Sequence, residues 1–88
     1  MAETPIFSSD ALARMRGIYP SLPPSERKVV DFILANVEDA IHMTLADLAQ
    51  SSSVSDATVV RLCRSLGYNN FLELKISLTR SINDSPRL

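Results

Sequence analysis

The chain has 88 residues, 45% of them hydrophobic and 22% charged, with a formal net charge of −1. That length suits one domain with a modest core; no apolar run approaches the roughly 18 residues of a membrane helix and no basic, apolar, small-residue leader opens the chain, so the expected setting is cytoplasmic, with no membrane partner. The single cysteine, Cys63, excludes an internal disulfide and a multi-cysteine zinc site, and two glycines, Gly17 and Gly67, are too few for a phosphate-binding or dinucleotide-binding loop.

A net charge of −1 argues against a nucleic-acid binder that works by bulk charge. The charge is unevenly placed, however. Residues 1–53 carry four basic and seven acidic side chains, and residues 54–88 carry five basic and three acidic ones, so the second half is net positive.

Residues 1–7 hold a proline and no periodic pattern, and read as a flexible N-terminus. The domain is expected over residues 8–82. A first helix is predicted from a cap at Ser8 or Ser9 to Ile18, with Ala11, Leu12, Met15, Ile18 and Tyr19 on its apolar side. Pro20, Pro23 and Pro24 stop it, and Pro24 suits the first turn of the next helix because its missing N–H has no partner there anyway. That second helix is predicted over 24–36. Ser25, Glu26, Arg27 and Lys28 are its polar side, and Val29, Val30, Phe32, Ile33 and Leu34 form an apolar stripe wide enough for a central core helix. Residues 37–41 make a short acidic turn with Glu38 and Asp39.

The stretch TLADLAQSSSVSDATVVRLCRSL, residues 44–66, is the most informative. Thr44 and Asp47 are spaced as a capping box, with Asp in place of the stronger Glu or Gln. Ser51, Ser52 and Ser53 break the period, Val54 is an apolar plug, and Ser55 caps a second helix with Asp56 in its first turn. Helix, tight break and capped helix make the helix-turn-helix signature. Leu45, Leu48, Ala49, Val54, Val59 and Leu62 are expected inward, and Ser55, Asp56, Ala57, Thr58, Arg61 and Arg64 outward. Gly67 then ends the second helix in the left-handed conformation. A last helix over 70–83 has Phe71, Leu74, Leu78 and Ile82 on one face, widened by Leu72 and Ile76. Residues 83–88 read as the start of an interdomain linker. With no strand alternation and no repeat, the fold class is all-α, a compact five- to six-helix domain with a homeodomain-like helix-turn-helix core.

The segment LPPSERKVVDFILANVEDAIHMTLADLAQSSSVSDATVVRLCRSLGYNNFLELKISL, residues 22–78, resembles the N-terminal DNA-binding domain of the RpiR family of bacterial sugar-metabolism regulators, and VSDATVVRLCRSLGYNNFLELK is its most specific part. The resemblance implies double-stranded operator DNA as partner, a homodimer or higher oligomer, and a phosphosugar effector that acts only through a C-terminal sugar-isomerase-type domain not present in these residues. The chain is then a fragment of a regulator.

A recognition helix offers its first turns to the major groove, where an arginine can bridge both acceptors of a guanine. Arg61 lies over the leading turn of Ser55, Asp56, Ala57 and Thr58 and is the candidate base contact; a solvated surface arginine is the competing reading. Arg64, one turn on, suits a phosphate. Ser52, Ser53, Ser55 and Thr58 offer hydroxyls to phosphates, while Tyr68, Asn69 and Lys75 are candidates for the flanking backbone. Asp56 repels phosphates, and helix-dipole support explains it better than a cytosine contact.

Cys63 reads as a small buried hydrophobe, His42 lacks a spaced second ligand, and adjacent Glu38 and Asp39 point apart. No enzyme, cofactor or metal is expected. The function expected is sequence-specific DNA binding. The alternative is a helical protein-interaction or dimerisation module that does not read DNA, which the net acidic charge favours. Under the DNA reading one copy binds weakly, and Leu12, Met15 and Tyr19 of the first helix offer apolar area to a second copy.

Overall fold

A computed structural model describes residues 11–83, and these contain six α-helices and no strand. They are α1 (Ala11–Ile18), α2 (Pro24–Ala35), α3 (Val37–Ala40), α4 (Leu45–Ser51), α5 (Asp56–Ser65) and α6 (Phe71–Asn83), with a 3-10 turn at Tyr19–Ser21 between the first two. The expectations for residues 1–7, for a cap at Ser8 or Ser9 and for residues 84–88 lie outside the described residues.

Local chemistry sets the boundaries. Pro24 opens α2, and the Pro23 carbonyl accepts from the N–H groups of Glu26 and Arg27, both at 3.0 Å. Asn36 closes it, where the side-chain amide donates to the Phe32 carbonyl at 3.0 Å. The Thr44 capping box is complete: Asp47 N–H donates to Thr44 Oγ1 at 3.0 Å and Thr44 N–H to Asp47 Oδ2 at 3.2 Å. Asp therefore suffices at a position where Glu is commoner. The proline-rich connector is tied back to α2 by Arg27, whose Nη2 donates to the Pro20 carbonyl at 3.0 Å, and by Tyr19, whose hydroxyl donates to Asp31 at 2.9 Å.

The core is built around α2, which packs on α3, α4 and α5. Val29, Val30 and Ile33 of α2 meet Val59, Leu62 and Cys63 of α5 in one cluster, and all six are fully buried. Ala11 and Met15 of α1 join it beside Leu74 and Leu78 of α6, the helix on which α1 packs. Each large aliphatic side chain buried this way contributes about 1.5–3 kcal/mol. Phe32 and Leu34 pack at its margin, so the wide stripe of α2 is used on more than one side.

Three expectations are corrected by packing. Met15 is fully buried and Leu12 and Tyr19 lean on the core, so α1 has little apolar area to spare for a second copy. Leu72 is 63% exposed and Ile76 48%, because α6 turns only its Leu74–Leu78 side inward; neither widens the buried face. Glu26, expected on the polar side of α2, is 4% exposed because α5 lies over it. Among the described residues no helix is long and apolar enough to cross a membrane.

Candidate nucleic-acid interface

Helices α4 and α5 pack on each other, and α2 supports α5 from behind. The reversal between them is sharp because Ser53 takes a left-handed conformation, φ 61°. Ser53 N–H donates to the Gln50 carbonyl at 3.1 Å and Val54 N–H to the Ala49 carbonyl at 2.9 Å, which closes α4 in a Schellman arrangement with serine where glycine is usual. Ser53 is exposed at the tip and Val54 packs on the core. Ser52 is corrected: its hydroxyl is buried and makes no hydrogen bond among the described residues, so it does not face a phosphate.

Ser55 caps α5, its Oγ accepting from Thr58 N–H at 3.2 Å. Asp56 and Ala57 are exposed in the first turn, Arg61 and Arg64 follow on the same side, and Val60 is half-exposed between them. The opposite side, Val59, Leu62 and Cys63, is fully buried. Thr58 was expected outward but is only 4% exposed, since it lies toward the α2 side of the helix. Its hydroxyl lies 3.1 Å from Ser55 Oγ and accepts from Arg61 Nη2 at 3.4 Å. Thr58 thus holds Arg61 from inside.

Arg61 has a second anchor. Its Nε lies 3.9 Å from Glu26 Oε2, and Glu26 Oε1 accepts from Ser65 Oγ at 3.3 Å. The Arg61 side chain is still 61% exposed, leaving its outer part available to a ligand.

Gly67, at φ 95°, ends α5 as expected. Its N–H donates to the Arg64 carbonyl at 2.9 Å and Tyr68 N–H to the Cys63 carbonyl at 2.9 Å, a second Schellman arrangement. Tyr68 is half-buried: its hydroxyl donates inward to Ser77 Oγ at 2.8 Å, and Arg14 stacks on its ring 5.2 Å from the centroid. That fixes the ring as a wall and leaves its hydroxyl committed. Asn69 is exposed, with its backbone N–H bonded to Glu73 at 2.8 Å. Arg64, Gly67, Tyr68 and Asn69 line one shallow recess at the end of α5. Lys75 lies apart from it on α6, its Nζ 5.6 Å from the Phe71 ring.

Burial pushes the Cys63 thiol up to about 11, which makes it an inert core group. His42 is exposed, and among the described residues no three His, Cys, Asp or Glu side chains are placed to hold a metal ion. Glu26, Ser65, Val60 and Arg14 were not foreseen. Val60 had a sequence signal, being one turn from both Ala57 and Arg64; the other three act across helices and had none.

The helix-turn-helix domain model of the rpiR family matches residues 9–85. The transcriptional regulator YbbH of Bacillus subtilis is 42% identical over 70 residues, covering 80% of this chain and 25% of that protein. The solved structure of its N-terminal domain superposes with a TM-score of 0.81 at 40% identity, over 83% of this chain and 89% of that one. The transcriptional regulator HexR of Escherichia coli is 38% identical over 76 residues, covering 85% of this chain and 26% of that protein. The structure of Vibrio vulnificus NanR complexed with ManNAc-6P superposes with a TM-score of 0.82 at 34% identity, over 88% of this chain and 29% of that one. The chain spans about a quarter of the length of the curated relatives it matches.

Proposed function

The chain belongs to the rpiR family of helix-turn-helix domains, the DNA-binding part of transcriptional regulators rather than an enzyme, and on that premise we propose that α5 reads the major groove of operator DNA. One observation carries this reading: the exposed side of α5 is a continuous strip, Ala57, Val60, Arg61 and Arg64, starting at a capped helix N-terminus, while its other side is fixed in the core. Arg61 is the base contact, bidentate to a guanine. Ala57 and Val60 supply apolar contact of the kind a thymine methyl takes. Arg64, Asn69, Ser53 and Lys75 meet phosphates, along with the free amides at the start of α5. Asp56 and Ser55 support the helix end.

With a net charge of −1, one copy binds weakly, and two copies on a palindrome combine their half-sites. The apolar area for pairing is on α6, at Leu72 and Ile76. Glu73 and Arg80 lie on either side of Ile76 along the same helix, so antiparallel pairing of two α6 helices brings Glu73 of one copy near Arg80 of the other. The ManNAc-6P in the NanR structure supports a phosphosugar effector that acts through a further domain, reached by a linker that starts at residues 83–88. Such a regulator works in the cytoplasm.

The test is titration of the chain against a duplex selected from a randomised library and against a scrambled duplex, at several salt concentrations. Arg61→Ala is expected to weaken the selected duplex by about 1–3 kcal/mol and relax base preference, while Arg64→Ala or Lys75→Ala weakens both duplexes alike and lowers the salt slope by about 1. No binding at low salt, even by a dimerised chain, sinks this reading in favour of a protein-interaction module.

A further inference from the structure

Among the described residues Glu26 is the one buried acidic side chain, and it does not belong to the helix-turn-helix pair. It lies in the first turn of α2, 4% exposed, and spans two residues of α5 one turn apart: Ser65 donates to Oε1 at 3.3 Å and Arg61 Nε stands 3.9 Å from Oε2. A buried carboxylate is costly to keep, and a glutamine or an apolar residue would pack α2 against α5 without that cost. What the charge adds is a hold on Arg61.

We propose that Glu26 is a positioning residue that sets base specificity from α2 by presenting Arg61 in one orientation; this rests on the DNA-reading function above. The guanidinium is planar, with five donors. Glu26 faces Nε and Thr58 accepts from Nη2, so both anchors take the same edge of the plane. The Nη1/Nη2 end remains, and that end makes the two parallel hydrogen bonds to guanine O6 and N7. Holding the side chain before binding lowers the ordering cost at the groove. The carboxylate also offsets the charge of Arg61, which weakens its attraction to any phosphate and leaves the geometric match to a base as its main contribution.

Glu26→Gln keeps the shape and the bond to Ser65 but removes the charge. In the 88-residue chain, with the selected and scrambled duplexes as probes, the ratio of the two affinities is expected to fall roughly five- to tenfold. Binding to the scrambled duplex should hold or rise, with a steeper salt dependence. Adding Glu26→Gln to Arg61→Ala should cause no further loss of the ratio, because the two act as one unit. A folded Glu26→Gln variant with an undiminished ratio, or losses that simply multiply, overturns the assignment of Glu26 alone. A wild-type chain that does not prefer the selected duplex overturns the DNA reading, and this proposal with it. NMR relaxation of the Arg61 Nε–H signal in the wild-type chain gives a reading that needs no variant to fold: a side-chain order parameter above that of Arg64 is expected, and one equal to it refutes the hold.

Discussion

The guanidinium of Arg14 donates to the carbonyl of Leu66 at 2.6 Å, joining α1 to the end of α5 across 52 positions of sequence. It occupies a carbonyl that the last turn of a helix leaves without an internal partner, and it places a positive charge at the negative end of the α5 dipole. Its stacking on Tyr68 fixes the same corner.

Arg14→Ala is expected to destabilise the domain by about 2–4 kcal/mol, the sum of a charged hydrogen bond and a partly exposed cation–π contact. Gly67→Ala should cost about 1–2 kcal/mol, because a side chain is strained in the left-handed conformation. Its methyl would also meet Arg14 Nη1 at 3.0 Å. Urea unfolding checks both. The two losses should be less than additive, since each disturbs the same contact; full additivity counts against the link.

Ser53→Gly in the turn should stabilise. Serine at φ 61° carries a strain that glycine does not, and the two hydrogen bonds closing α4 come from backbone N–H groups that glycine retains. The net gain is about 0.5–1 kcal/mol after the extra freedom glycine has in the unfolded chain. Thermal unfolding should show the midpoint rising by a few degrees, on the order of 4–8 °C per kcal/mol for a domain this small. A lower midpoint would mean that the serine side chain stabilises the turn by more than its strain costs.

Cys63 predicts a loss of stability in alkali. Its thiol titrates at an ordinary 9.0 when exposed and at about 11 in the fold. Below the lower value both states hold the proton and the group has no effect. Between the two the unfolded chain ionises first, so stability falls as pH rises, by about 2–3 kcal/mol in all, and then levels off. The measurement is the difference between wild type and Cys63→Ala in urea unfolding at pH 8 and pH 10.5, which isolates the thiol from every other group. An identical pH dependence in the two proteins would contradict the burial argument. Native Cys63 should also resist alkylation until the chain unfolds.

Replacing the exposed pair on α6, as Leu72→Ser with Ile76→Ser, should leave the fold intact and lower the dimer population in sedimentation equilibrium. The expected stability change is within about 0.5 kcal/mol, as for other surface substitutions. An unchanged association constant would exclude α6 as the pairing face. Deletion of residues 1–18 would not test pairing, because it would remove Ala11 and Met15 from the core.

Everything decided within a few residues was legible in the amino-acid sequence. Pro24 at the start of α2, Asn36 at its end, the Thr44–Asp47 box, the Ser55 cap and Gly67 after α5 each act through backbone groups one turn away, so spacing alone reveals them. Hydrophobic periodicity likewise turned Val29, Val30, Ile33, Val59 and Leu62 inward, and put Arg61 on the outer side of α5. What periodicity does not contain is which polar residue another helix covers. Thr58 and Glu26 look like surface positions along their own helices and are buried only because α2 and α5 cross there. The serine run 51–53 signals a break, but only the closed turn decides that Ser53 takes the left-handed conformation while Ser52 goes inside. Leu72 and Ile76 look like core and are exposed because, among the described residues, α1, α3 and α5 cover only the Leu74–Leu78 side of α6. The sequence by itself thus determined the helices, most of their ends and the outer side of α5 apart from Thr58; the tertiary structure decided how Arg61 is held there, because its anchors Thr58 and Glu26 come from separate helices whose meeting depends on packing rather than on local spacing.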